Sequence, residues 1–215
     1  MPCSDAPLDW EWLGRIDYTD ALERQRARRD AILAGTAPEV LWLLEHDPVV
    51  TTGRRSVDDL DPARIPWPIV ATERGGLATY HGPGQLVGYL LADVGRRGLG
   101  VRRTVTALED GVLGWLAGQG ISAGRRPGAP GVWVGTDKVC AVGLHFRRGV
   151  SMHGFALNLT VDLSAYEGFV PCGIRDGGVT SVRMLLGSSP SPVDAAPSVA
   201  RAVLRAFVDT PERGS

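Results

Sequence analysis

The 215-residue chain sets 23 lysines and arginines against 24 acidic residues, a net charge of −1, with 44% hydrophobic and 22% charged residues. That balance supplies no strong field for nucleic acid or an anionic membrane, and the length suits one globular domain spanning residues 1–215 with a sizeable core. Three cysteines (Cys3, Cys140 and Cys172) without a CxxC pair argue against a disulfide framework or a zinc site and for a reducing cytoplasm, while the N-terminus lacks a signal peptide's basic-then-apolar order and no apolar run reaches the roughly 18–20 residues of a membrane span.

In chain order, "EWLGRIDY" (11–18) predicts a short strand. "TDALERQRARRDAILAG" (19–35) predicts a helix capped by Thr19 or Asp17, with Gly35 as its stop. "VLWLLEH" (40–46), "PVVTTG" (48–53) and "PIVATE" (68–73) are apolar or β-branched and read as strands. From Val105 through Leu108, Val112 and Trp115 the apolar spacing is helical, ending at Gly118 or Gly120. "VWVG", "KVCAVGLHF" and "SMHGFALNLTV" then follow as strand-like runs separated by glycine and arginine turns, a meander. "DAAPSVARAVLRAFVD" (194–209) predicts a C-terminal helix with Pro197 near its first turn. Runs of strands flanked by a few helices imply an α+β fold, a mixed sheet with helices against one face.

Three glycine-bearing segments stand out. "RGGLATYHGPGQLVGYLL" (74–91) sets the donors Arg74, Thr79, Tyr80, His81 and Gln85 among glycines that let backbone approach a ligand closely. It matches neither GxxxxGK[ST] nor GxGxxG opening a helix. In "MHGFALNL" (152–159), His153 fits a packed core histidine as well as a ligand contact, and Asn158 is expected to satisfy backbone groups of a neighbouring loop. In "GFVPCGIRDGGVTSV" (168–182), Cys172 lies in a loop between Pro171 and Gly173, whereas Cys140 is enclosed by Val139, Ala141 and Val142 on a strand. Reactivity needs access and a nearby cation or base, so Cys172 is the better candidate nucleophile.

Lys138 is the single lysine beside 22 arginines. Either its position tolerates any cation, or the site needs a base. Arginine, with a pKa above about 12, holds its proton, whereas a desolvated lysine can release one.

Jointly these segments resemble the lipoyl(octanoyl) transferases. The matching residues are Arg74-Gly75-Gly76, Thr79, His81-Gly82-Pro83-Gly84-Gln85 and Tyr89; then Lys138, Ala141, Gly143, His153-Gly154 and Ala156-Leu157-Asn158; then Pro171-Cys172-Gly173-Ile174 and Thr180-Ser181. "LLEHDPVVTTGR" (43–54) is similar to a further family stretch, so the likeness covers about residues 10–185. Leu90 after Tyr89 and Cys140 depart from the usual pattern. The resemblance implies the fold of the biotin and lipoate protein ligase catalytic domains. It implies transfer of octanoyl from octanoyl-acyl carrier protein to a lysine of lipoyl domains, those of 2-oxoacid dehydrogenase E2 subunits and the glycine cleavage H protein. No cofactor or metal is implied. A Cys172/Lys138 dyad is implied, with the acyl chain held by Arg74, Gly75, Gly76, Leu77, Ala78, Thr79, Tyr80 and His81, by Ala141, Val142 and Gly143, and by Gly154, Phe155 and Ala156. An ATP-dependent lipoate or biotin ligase on the same fold is the alternative, and "GRRGLGVRR" (95–103) has a superficial likeness to its adenylate loop. An exposed basic turn is the plainer reading of that stretch, and such a ligase would need no cysteine.

Overall fold

A computed structural model of the chain describes residues 8–54, 60–166 and 177–210. Cys3 and Cys172 lie outside the described residues. The chain begins with strand β1 (Asp9–Ile16) and helix α1 (Tyr18–Ala34), then β2 (Val40–His46), β3 (Val49–Thr52), β4 (Ile69–Ala71), β5 (Thr79–His81) and β6 (Gln85–Leu91). Helix α2 (Val101–Gly118) leads into β7 (Gly124–Arg126), β8 (Ala129–Val134), β9 (Asp137–Arg147) and β10 (Val150–Asn158), followed by α3 (Val182–Leu186) and α4 (Pro192–Val208). Asp17 caps α1 by accepting from the amides of Thr19 and Asp20, and Gly35 ends it in the left-handed conformation (φ 73°) that glycine adopts without steric cost.

Seven strands form a mixed sheet in the order β1-β2-β6-β10-β9-β8-β7, and β4-β3-β5 form a second, three-stranded sheet. Strand alternation sends Leu86 and Leu90 of β6, and Phe155 and Leu157 of β10, into one apolar cluster with α2 and α4. Val87, Tyr89, Met152 and Ala156 pack on the opposite side with Tyr18, Leu22 and Ile32 of α1. The helices therefore cover both faces, and the expectation of helices on one face is corrected. Strands β6 and β10 are wholly buried and nearly continuously apolar, the pattern of a sheet covered twice. The basic run 95–103 is an exposed turn in its first part, where residues 95–98 turn and Arg96 is exposed, but not throughout. Its last three residues open α2, Arg97 pairs with Glu39, and Arg96 with Asp93.

Alternation fails usefully at one place in β9. Val132 pairs with Cys140, but the next residue, Trp133, pairs with Lys138. Val139 is thus the extra residue of a β-bulge, which shifts parity by one. Both Val139 and Cys140 join the α2/α4 core, and Lys138 returns to the opposite face beside Ala141 and Gly143.

Candidate active site

On the α1 side of the large sheet lies a cavity of about 530 Å³. Its floor is a grid of cross-strand partners. One row runs Val87, Ala156, Ala141, Gly131 across β6, β10, β9 and β8; the next runs Tyr89, Gly154, Gly143. Small residues at the centre leave a shallow trough where larger side chains would fill the space. Gly143 is also required by the wall opposite, because a Cβ there would lie 3.0 Å from the Gly75 carbonyl oxygen.

That wall is the segment 74–79. Arg74 is buried, and its guanidinium donates to the carbonyls of Gly75, Leu77 and Thr51 and to the Thr51 hydroxyl. Its role here is to fold the loop into a fixed shape. The Gly75 amide donates to the Leu144 carbonyl at 3.0 Å, so that N–H is already engaged. Of the residues expected to hold the acyl chain, Arg74, Gly75, Gly76, Leu77, Thr79 and His81 line the cavity, as do Ala141, Val142, Gly143, Gly154, Phe155 and Ala156. Ala78 and Tyr80 do not. They pack with Val50, Ile65 and Tyr166 in a third apolar cluster, since alternate residues of an extended segment face opposite ways.

Lys138 lines the cavity and is only 6% exposed. Its ammonium donates to the Pro130 carbonyl at 3.1 Å and sits 4.7 Å from the centre of the Trp133 ring, a cation–π contact. Gly131, at φ 126°, lies beneath the lysine stem, where a Cβ would be 3.3 Å from Cε and 2.4 Å from the Cys140 carbonyl oxygen. Backbone pairing secures the same residue from its other flank: the Lys138 amide donates to Gly178 and the Thr180 amide donates to Lys138. Asn158 donates from its side chain to the Thr180 carbonyl at 3.0 Å, the loop-satisfying role expected of it. The segment 177–180 is therefore stitched to the strand that carries the lysine, and Cys172 precedes Gly178 by six positions. Cys140 is fully buried on the core face, and burial pushes its thiol far above the ordinary range.

Neutral imidazoles and tyrosine hydroxyls cluster around His81, with the Arg74 guanidinium beside them. His46 donates from Nδ1 to the Ile16 carbonyl and accepts from the Tyr89 hydroxyl at 2.6 Å. His81 faces Gln85 Oε1 at 2.7 Å through Nδ1 and the Thr51 hydroxyl at 3.3 Å through Nε2. Desolvation lowers all three buried histidines: His46 to about 4, His153 to about 3, and His81 well below its usual value. Burial likewise raises Tyr18 to about 12. The imidazoles and phenols therefore add no charge here, and the Arg74 guanidinium is engaged by backbone carbonyls and the Thr51 hydroxyl. Tyr18, Trp133 and Pro130 were not singled out from the sequence, because each reads locally as ordinary packing or turn chemistry.

Comparison with known proteins agrees with this architecture. Residues 17–207 match the family model described as the lipoyl protein ligase A/B catalytic domain. An octanoyltransferase of Cereibacter sphaeroides is 44% identical over 218 residues, covering 94% of this chain and 99% of that protein. Among solved structures, the bi-partite lipoate protein ligase of Thermoplasma acidophilum is similar with a TM-score of 0.66 at 21% identity, covering 95% of this chain and 83% of its own. The biotin protein ligase of Aquifex aeolicus, in complex with biotin and ATP, gives 0.61 at 13% identity, covering 96% of this chain and 73% of its own. These two likenesses establish the shared catalytic fold. The sequence match is closer and more extensive, and by it this chain belongs to the octanoyltransferase family of acyltransferases, within the lipoyl protein ligase A/B catalytic-domain group.

Proposed function

We propose that the chain moves an octanoyl group from octanoyl-acyl carrier protein to a lysine of a lipoyl domain, through a thioester on Cys172. The observation that carries this reading is the trough itself. Its central floor is stripped to Ala141, Ala156, Gly143 and Gly154, and Lys138 lines the same cavity. A narrow, mostly apolar groove with one titratable cation suits a flexible acyl chain whose reactive carbonyl is presented beside that cation.

The chemistry follows in two balanced steps. The Cys172 sulfur attacks the thioester carbonyl, forming a new S–C bond as the bond to the carrier sulfur breaks. Lys138 takes the thiol proton and returns it to the departing carrier thiolate. The acceptor lysine amine then attacks the acyl-enzyme, forming an amide N–C bond as the S–C bond to Cys172 breaks, and its surplus proton passes through Lys138 to the Cys172 thiolate. Arginine at 138 would supply charge without this exchange. The buried Cys140 thiol faces the core and supports Cys172 as nucleophile by contrast.

Intact-mass measurement tests the reading. Mixed with octanoyl-carrier protein and no ATP, the protein is expected to gain one octanoyl mass, removable by neutral hydroxylamine, and Cys172→Ala is expected to lose it. An adduct that persists in Cys172→Ala would exclude that nucleophile. Strict dependence on ATP with free octanoate as donor would establish an adenylating ligase instead.

A further inference from the structure

Lys138 leans on a peptide group that has charge on both sides. Its ammonium donates to the Pro130 carbonyl at 3.1 Å. The amide of that same peptide belongs to Gly131, and it donates to Oε1 of Glu109 on α2 at 2.8 Å. The peptide is trans, so its C=O and N–H point in opposite directions. Carboxylate, peptide dipole and ammonium therefore align in the favourable sense, with N–H toward the negative group and C=O toward the positive one. The two distances and standard amide dimensions place Glu109 Oε1 at most about 8.5 Å from Lys138 Nζ.

Glu109 is 5% exposed and is not among the residues that line the cavity. A carboxylate at that depth is tolerated only where donors meet it. The donors are the Gly131 amide and the guanidinium of Arg125, whose Nε reaches Oε2 at 2.8 Å while its Nη2 donates to Asp110 and to the Thr106 carbonyl. The same stretch of β8 steadies the lysine's other contact, because Trp133 Nε1 donates to the Ala129 carbonyl at 3.0 Å. Residues 129–131 thus govern both groups that touch the ammonium. Gly131, at φ 126°, is the residue there whose backbone has the widest freedom, and it is the one that Glu109 grips.

We propose that Glu109 is a positioning residue for Lys138: by gripping the N–H of the Pro130–Gly131 peptide it aims the carbonyl of that peptide at the lysine head. This rests on the reading above, in which Lys138 carries protons for the two transfer steps. A lysine head on a flexible four-carbon stem must return to one place after each exchange, which needs a fixed support. One interposed peptide lets the carboxylate orient the lysine without contacting it. A carboxylate in direct contact would form an ion pair and favour retention of the proton that the lysine must hand on.

The test uses the fact that the chain has a single lysine. Isotope-labelled lysine gives the folded protein one set of side-chain NMR signals, those of Lys138, and the ring current of Trp133 displaces them from the positions of a free lysine. Glu109→Leu removes the grip and is expected to move the signals back toward the free positions. It is also expected to slow single-turnover acylation by octanoyl-carrier protein about tenfold at saturating donor, the effect of leaving one buried donor unmet, without changing the donor concentration that gives half the maximal rate. Glu109→Gln keeps an oxygen for the Gly131 amide and is expected to retain the parent signals and recover most of the rate. Arg125→Leu removes the ion pair but not the grip and is expected to leave the signals in place. If Glu109→Leu does not fold, Glu109→Asp, which draws the carboxylate back by one methylene, is expected to move the signals in the same direction. Unmoved signals in the leucine variant, or in the aspartate variant standing in for it, would overturn the proposal. Displacement by Glu109→Gln or Arg125→Leu as large as by Glu109→Leu would overturn it too, as would moved signals with an unchanged acylation rate. A parent protein that never acquires octanoyl would refute the underlying functional reading instead, whereas the lysine signals are read with no acyl donor present.

Discussion

Acidification should destabilise this protein well above the pH at which its carboxylates titrate, and the buried histidines set by how much. Each is neutral in the folded chain, with His46 at about 4 and His153 at about 3. In the unfolded chain each returns to about 6.5. Below pH 6.5 the unfolded state therefore binds protons that the folded state refuses, and stability falls as pH falls. The loss begins near pH 6.5 and is complete for His46 near pH 4 and for His153 near pH 3. Linkage gives about 2 kcal/mol per histidine between pH 7.5 and pH 5, hence about 4 kcal/mol for the pair. His81, buried and shifted in the same direction, adds to it. Against a typical domain stability of about 5–15 kcal/mol this is a large fraction. Urea titration followed by the fluorescence of the six tryptophans at pH 7.5, 6 and 5 would measure it, with the slope reporting two or more protons taken up on unfolding at the acid end. A stability that stays level from pH 7.5 to pH 5 would refute the reasoning, because it would require these imidazoles to titrate normally.

Three further outcomes are expected. Lys138→Arg should slow both half-reactions by roughly 10²–10⁴-fold, as loss of an acid–base group does, and the slim, neutral Lys138→Met should be equally inactive; near-normal turnover of the arginine variant in a single-turnover assay would show that charge alone suffices. Gly131→Ala places a methyl 2.4 Å from the Cys140 carbonyl and 3.3 Å from the lysine stem at φ 126°, so it should depress acyl transfer and lower the melting temperature, and an unperturbed variant in both measurements would contradict the described position of Lys138. If an acidic carrier protein approaches by the arginines near the cavity mouth, donor KM should rise with ionic strength over the range in which the Debye length shrinks below about 10 Å. Exposed Arg102, rather than Arg125, which is engaged by Glu109 and Asp110, is then the residue whose reversal to Glu should weaken donor use and flatten that salt dependence.

Local signals carried most of the fold. The Asp17 cap, the Gly35 stop and the apolar runs of β2, β3, β9 and β10 are statements about single residues and their neighbours, and each element lies close to where its sequence puts it. Layering was less legible. Whether helices share one face or divide between two depends on crossovers joining β1 to β2 and β6 to β7, and apolar spacing within a helix does not specify the side on which it packs. The second sheet was legible in part: β3 and β4 fall in runs read as strands, whereas β5, three residues among glycines, is too short for periodicity. At the site, the motif segments do converge on one cavity, but contiguous stretches overstate the lining. Tyr80 lies between Thr79 and His81 and must face away from them in an extended strand, a constraint that period-two reasoning alone supplies. His46, a strand end in the sequence, becomes Tyr89's partner only through sheet pairing across 43 positions.

The Val139 bulge gives β9 an unusual response to length change. Deleting Val139 would restore an unbroken ladder with β8 and would be a benign edit by the standards of strand pairing. It would leave Lys138 opposite Trp133 and still on the cavity face, whereas an unbulged strand that kept Val139 and paired it with Trp133 would turn the lysine toward α2 and α4. Loss of one residue, which flips facing side chains in an ordinary strand, therefore leaves the lysine in place at this position.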